Sequence, residues 1–170
     1  MASSILVRPS GRRRTEFLAA VARSRTLHGK WASPPCTPDA FDALLKRPKR
    51  NNLMFWVVTE KNALAGAITV SEIVWGMFRS GYLGYYALVP YDGQGYMKRG
   101  LRAVITEAFV THGLHRLEAN IQPDNLRSIG LVKSLGFRKE GYSPRYLKIT
   151  GRWRDHERWA ITKEEWRRIH

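Results

Sequence analysis

The chain has 170 residues, enough for one domain with a real core and too few for two comfortable ones. It is 44% hydrophobic and 11% aromatic; no apolar run approaches the roughly 18 residues a membrane helix needs, and a lone Cys36 excludes an internal disulfide. Lys and Arg total 29 against 14 Asp and Glu, so a formal charge of +15 draws the chain toward polyanions: nucleic acid, the ribosome or a phosphate-rich cofactor.

Met1 to Pro9 lacks the apolar core of a signal peptide, and no cysteine pattern suggests a metal, so a reducing cytoplasm is the expected setting. The basic residues are scattered over Arg12–Arg14, Lys46–Arg50, Arg152–Arg158 and Arg167–Arg168. No helix-turn-helix, zinc finger or RNP-type motif gathers them. Non-specific attraction to RNA is expected, and sequence readout is not.

In chain order, Ile5 to Arg8 reads as a short strand, and Ser10 as the cap of a helix to about Leu27 that buries Phe17, Leu18, Val21 and Ala22. A prolyl loop carrying Trp31 follows. Thr37-Pro38-Asp39 then opens a helix to about Lys46 with Phe41, Leu44 and Leu45 inside. Leu53–Thr59 and Leu64–Trp75 read as strands around the turn Glu60–Ala63.

Tyr82 to Val89 is aromatic and aliphatic, a buried strand that Pro90 should stop because proline offers no N–H to a ladder. Asp92-Gly93-Gln94-Gly95 is a tight turn, and from Tyr96 the residues Met97, Leu101, Val104, Ile105 and Ala108 recur at helical spacing. A helix starting just after a glycine turn aims free N–H groups and a partial positive charge at one point, a pocket for a phosphate. An ordinary β-to-α turn has the same look. A Rossmann fingerprint lacks its third glycine here, and a Walker loop lacks its Gly-Lys-Ser/Thr.

His112-Gly113 closes that helix, and Arg116 to Gln122 forms the next strand. Asn125 to Leu135 is a helix burying Ile129, Val132 and Leu135. Phe137–Tyr142, Tyr146–Ile149 and Trp153–Ile161 are strand-like, and Thr162-Lys163-Glu164-Glu165 is a capping box before a terminal helix. Together these elements describe a mixed α/β sandwich, one domain over residues 1–170.

The Gly-x-Gly turn followed by Pro123-Asp124-Asn125-Leu126-Arg127-Ser128 and then Leu135-Gly136-Phe137 resembles the GNAT acetyltransferase superfamily. The likeness is greatest to the Rim-type enzymes that acetylate N-termini of bacterial ribosomal proteins, in their alanine-specific branch. It extends to Trp31–Pro35, Tyr82–Tyr85 and the tail Tyr146–His156, nearly the whole chain. The resemblance implies a mostly antiparallel twisted sheet, flanked by helices, that splays at its middle strand to admit acetyl-CoA, with no metal.

On the same resemblance, the backbone of Ala87, Leu88 and Val89 would pair with the pantetheine arm. The N–H groups of Gly93, Gln94, Gly95, Tyr96, Met97 and Lys98 would hold the pyrophosphate. Asp92 stands where the superfamily has Gln or Arg, and is expected to point away while Lys98 and Arg99 compensate its charge. Asn125 would cap its helix and contact the cofactor, and the Ser128 hydroxyl would protonate the leaving thiolate, because the family's tyrosine position is Val132 here. For the base, the family's acid position is Asn120, counted with the acceptor site. Glu118 shares that strand face, and Glu72 is the other candidate; otherwise the amine arrives already deprotonated. A further Rim-type glutamate position is Arg145. Trp31, Tyr85, Tyr146 and Trp153 would wall the amine entry, unless they are ordinary core, and Asp155-His156 reads as structural.

The expected function is transfer of acetyl from acetyl-CoA to a primary amine, a protein N-terminus first, within a ternary complex. A small-molecule or antibiotic amine is the alternative acceptor. A non-catalytic module associated with RNA or the ribosome is the rival from another class. A monomer or homodimer fits equally.

Overall fold

A computed structural model describes residues 5–169; the expectations for Met1–Ser4 and His170 lie outside those residues. A seven-stranded sheet runs in the order β1-β2-β3-β4-β5-β7-β6. Its strands are β1 (Leu6–Val7), β2 (Leu53–Val58), β3 (Leu64–Val74), β4 (Ser80–Ala87), β5 (Arg116–Ile121), β6 (Arg138–Ile149) and β7 (Arg152–Thr162). The helices are α1 (Arg14–Arg23), α2 (Arg25–His28), α3 (Pro38–Leu45), α4 (Tyr96–Thr106), α5 (Leu126–Ser134) and α6 (Lys163–Ile169). The mixed α/β architecture is thus as expected, and every strand pair is antiparallel except β4 with β5.

Each face of the sheet has its own core. On one, Leu101, Val104 and Ile105 of α4 and Ile129 and Val132 of α5 meet Leu117, Ala119 and Ile121, the alternate inward residues of β5. On the other, Phe17 of α1, Phe41 of α3 and Trp56 of β2 pack together, with the Phe17 and Trp56 rings 5.6 Å apart. Burial of each such side chain contributes about 1.5–3 kcal/mol.

The parallel pair β4/β5 is short. Ser80, Gly81 and Tyr82 pair with Arg116, Leu117 and Glu118, and beyond that rung the two strands part. The sheet is therefore split down its middle while its outer strands stay laced.

Three expectations need correction. The helix expected from Ser10 to Leu27 begins instead with a 3-10 turn at Gly11–Arg13 and breaks at Ser24. The Ser24 hydroxyl bonds back to the Ala20 carbonyl at 2.7 Å and accepts the Val89 N–H at 2.9 Å, which interrupts the helical ladder. The strand β4 ends at Ala87 rather than Val89, although the Leu88 N–H still reaches the Ala65 carbonyl of β3 at 2.9 Å; the Val89 N–H, on the other edge, goes to Ser24. The strands expected at Tyr146–Ile149 and before it are one continuous β6 with a register shift between Ser143 and Leu147, where Pro144 is accommodated.

Candidate active site

Where β4 and β5 part, a cavity of about 530 Å³ opens between them. Leu83–Ala87 line one side, Ala119–Gln122 the other, with Asp92, Gly93, Gly95, Met97 and Lys98 at one end and Asn125, Arg127 and Ser128 at the rim. Trp31 and His28 close it from the α2 side, and His156 from β7.

The edge of β4 facing the gap follows from strand alternation. The Leu88 N–H donates to the Ala65 carbonyl of β3 at 2.9 Å. Antiparallel pairing alternates by two, so the main-chain groups of Tyr85 and Ala87 face away from β3, into the gap. The Ala87 carbonyl duly accepts from His28 Nε2 of α2 at 2.8 Å. The amides of Leu88 and Val89 are already committed inside the fold, and the Leu88 side chain is fully buried. Of the Ala87–Val89 segment singled out by resemblance, Ala87 lies on the edge facing the gap, together with Tyr85 upstream.

At the glycine turn, Gly93 and Gly95 have φ of 72° and 82°, the left-handed region that glycine enters without strain. A Cβ on Gly95 would meet nothing within 4 Å, so the turn leaves open space above its backbone. The first intrahelical bond of α4 is Arg99 N–H to Gly95 carbonyl at 3.1 Å, which leaves the N–H groups of Tyr96, Met97 and Lys98 without helical partners. Open space over free amides at a helix start fits a diphosphate. Gln94 turns its side chain back to the Pro90 carbonyl at 2.7 Å, and the Tyr96 ring leaves the site to bond Glu60 at 2.7 Å. That bond holds Glu60 down to about 2.

Asp92 does not point away. It lines the cavity, with Arg127 at 3.6 Å, while Arg99 pairs with Glu60 at 3.1 Å. The compensating cation therefore comes from α5, two residues after Asn125, and not from Arg99.

Asn125 caps α5, its Oδ1 accepting the Ser128 N–H at 3.3 Å. Ser128 Oγ sits 2.6 Å from the Tyr85 hydroxyl, where either oxygen can donate. Burial pushes the Tyr85 phenol up to about 12, and the bond to Ser128 offsets part of that. Val132, the position lacking the family tyrosine, is 1% exposed in the core. A phenol from β4 thus stands beside Ser128, while the α5 position of the family tyrosine is filled by Val132. The Asn-x-x-Ser spacing on α5 located Ser128, but nothing in the sequence paired it with a residue 43 positions away.

The other candidates are dispersed. Glu118 accepts from Arg116 Nε at 2.8 Å and is absent from the cavity lining. Glu72 is exposed at the β3 irregularity, with φ of 50°. Asn120 lines the cavity, and its Oδ1 is buried with no hydrogen-bond partner. Tyr146 stands behind His156, ring centroids 6.2 Å apart, whereas Trp153 is 61% exposed near the β6–β7 turn. His156 is the residue that sequence reasoning set aside as structural and the fold brings to the cavity wall.

Comparison with known proteins agrees with this geometry. The model of the acetyltransferase (GNAT) domain matches residues 5–138. The [ribosomal protein uS5]-alanine N-acetyltransferase of Escherichia coli is 40% identical over 107 residues, 63% of this chain, and the match spans about half (55%) of that protein's length. The spermidine N(1)-acetyltransferase of Vibrio cholerae is 21% identical over 98% of this chain and 97% of its own. Among solved structures, Mycobacterium smegmatis RimJ in complex with CoA-disulfide superposes with a TM-score of 0.85 at 26% identity, covering 94% of this chain and 82% of that one.

Proposed function

The chain belongs to the GNAT acetyltransferase family, and we propose that it transfers acetyl from acetyl-CoA to a protein N-terminal amine, of the ribosomal-protein alanine type, by direct transfer in a ternary complex. The observation that carries this reading is the Ser128–Tyr85 hydroxyl pair, 2.6 Å apart, in the gap between β4 and β5.

The roles follow from position. The amides at Gly95–Lys98, aided by Lys98 and Arg127, would hold the diphosphate. The open main-chain edge at Tyr85 would pair with the amides of the pantetheine arm as a further strand would. Its end points toward Ser128, whose hydroxyl, backed by the un-ionised Tyr85, would give the leaving sulfur its proton. The Ala87 N–H is the backbone donor for the developing oxyanion, in place of the Leu88 N–H, which Ala65 has taken.

The acceptor end argues for a neutral α-amine. Asp92 is the one carboxylate among the lining residues, and it sits at the phosphate end beside Arg127. A polycation such as spermidine would meet no free acid there. A relative matched over nearly the full length is named for spermidine, so a small polyamine stands as the second reading. The charge of +15 would favour encounter with the ribosome, where such N-termini are found.

Thiol release from acetyl-CoA against peptides of varied first residue and against spermidine tests the choice. Turnover of alanine-first peptides with none of spermidine is the expected result. The reverse overturns the protein-acceptor reading, and no release with any amine overturns acetyl transfer itself.

A further inference from the structure

The acetyl-transfer reading leaves the amine's own proton unassigned. The carboxylates raised from sequence are ill placed for it: Glu118 is held by Arg116 and Glu72 is exposed on the β3 irregularity. His28 turns toward the gap a nitrogen already committed to the Ala87 carbonyl.

His156 is different. It is 3% exposed, lines the cavity, and places Nδ1 2.9 Å from the Arg154 carbonyl. A carbonyl oxygen only accepts, so Nδ1 carries the hydrogen and the neutral ring keeps its lone pair on Nε2. Nε2 makes no hydrogen bond among the described residues. Asn120 on β5 faces Arg158 on β7, so His156 is the next residue along on that same face. The Asn120 Oδ1 is likewise buried without a partner. A buried acceptor without a partner, beside an imidazole nitrogen that bonds no described residue on the same cavity wall, calls for a ligand that brings donors.

We infer that His156 Nε2 is the general base for the acceptor amine and that Asn120 Oδ1 holds the amine's second N–H. This rests on the acetyl-transfer reading above. The amine lone pair forms the C–N bond at the thioester carbonyl carbon while one N–H proton passes to Nε2. The C–S bond breaks, and the sulfur takes a proton from the Ser128–Tyr85 pair. The imidazolium then releases its proton to solvent, and the hydroxyl pair regains one from it. Burial lowers the His156 pKa, opposed by the Arg154 carbonyl and Asp155, so the ring is neutral and ready near pH 7. The other charged or titratable groups around it are Tyr146 on β6 and Arg154, Asp155 and Arg158 on its own strand.

His156→Asn keeps a side-chain N–H for the Arg154 carbonyl and removes Nε2. With an alanine-first peptide at pH 7, its turnover should fall by about 10²- to 10⁴-fold. Acetyl-CoA affinity should stay within about two-fold, which also reports an intact fold. The loss should shrink as pH rises past the α-amine's own value of about 8. Normal turnover by His156→Asn at pH 7 overturns the inference and leaves the acetyl-transfer reading standing, whereas no thiol release by the wild-type protein overturns both. Should the variant fail to fold, nitrogen NMR of the wild-type imidazole decides. Adding the peptide with CoA should move the Nε2 resonance and not that of Nδ1; an unmoved Nε2 overturns the assignment.

Discussion

The hydroxyls of Ser128 and Tyr85 act as one donor, since each can pass its proton through the other. Ser128→Ala is expected to lower turnover by about 10²-fold with acetyl-CoA affinity nearly unchanged. Tyr85→Phe should do the same, and the double variant should lose far less than the product of the two, because they share one function. Steady-state kinetics beside calorimetric acetyl-CoA titration checks this; equal loss of turnover and affinity would make Ser128 a cofactor contact instead. Tyr85 also sets an alkaline limit. Its folded pKa is raised to about 12 from an ordinary value of 10, so its contribution to stability is intact below pH 10 and is lost as pH climbs toward 12. Ultraviolet titration should show the exposed phenols ionising first, with Tyr85 ionising at the unfolding step.

Among the elements, the β5–β7–β6 half is laced by charge. Arg116 bonds Glu118 at 2.8 Å and also holds Glu140, which Arg138 shares, and Arg138 reaches Glu165 of α6. The Arg116 guanidinium is the main reason Glu140 is held down to about 2. A depressed carboxyl gives stability that is complete above about pH 4.5 and fades as pH falls toward 2. Glu140→Gln should therefore cost about 1 kcal/mol at pH 7 and little at pH 2.5, read by denaturant melts at the two values. These cross-strand partners were hidden in the sequence, where Arg116 and Glu140 lie 24 positions apart. The capping box, by contrast, was legible because it is local: Thr162 and Glu165 bond each other reciprocally at the start of α6. The glycine turn and the Asn125 cap were legible for the same reason. Missing from the sequence were contacts made by the sheet's closure, Tyr85 with Ser128, His156 with the cavity, and the Ser24 hydroxyl that ends α1 and takes the Val89 amide.

The molecule as a whole is two laced halves joined by the short β4/β5 ladder and a shared core. A ligand that spans the gap binds only the folded chain, so at about 100 times its dissociation constant it should add about 2.7 kcal/mol. For a chain of this size that is a rise of about 5–10 °C in Tm, read by a thermal shift with acetyl-CoA. No rise at any concentration would mean the gap does not take the cofactor. Over the opening, the loop after α2 is strapped down: Lys30 pairs with Asp124, and Gln122 Nε2 donates to the Lys30 carbonyl at 2.8 Å.

A sheet that parts in its middle owns four edges where an ordinary open sheet owns two. The inner two, at Tyr85–Ala87 and at Ala119–Gln122, are templates for any extended backbone, including a neighbouring chain in a crowded refolding mixture. A molecule that fills the seam would work as a stopper on both templates at once.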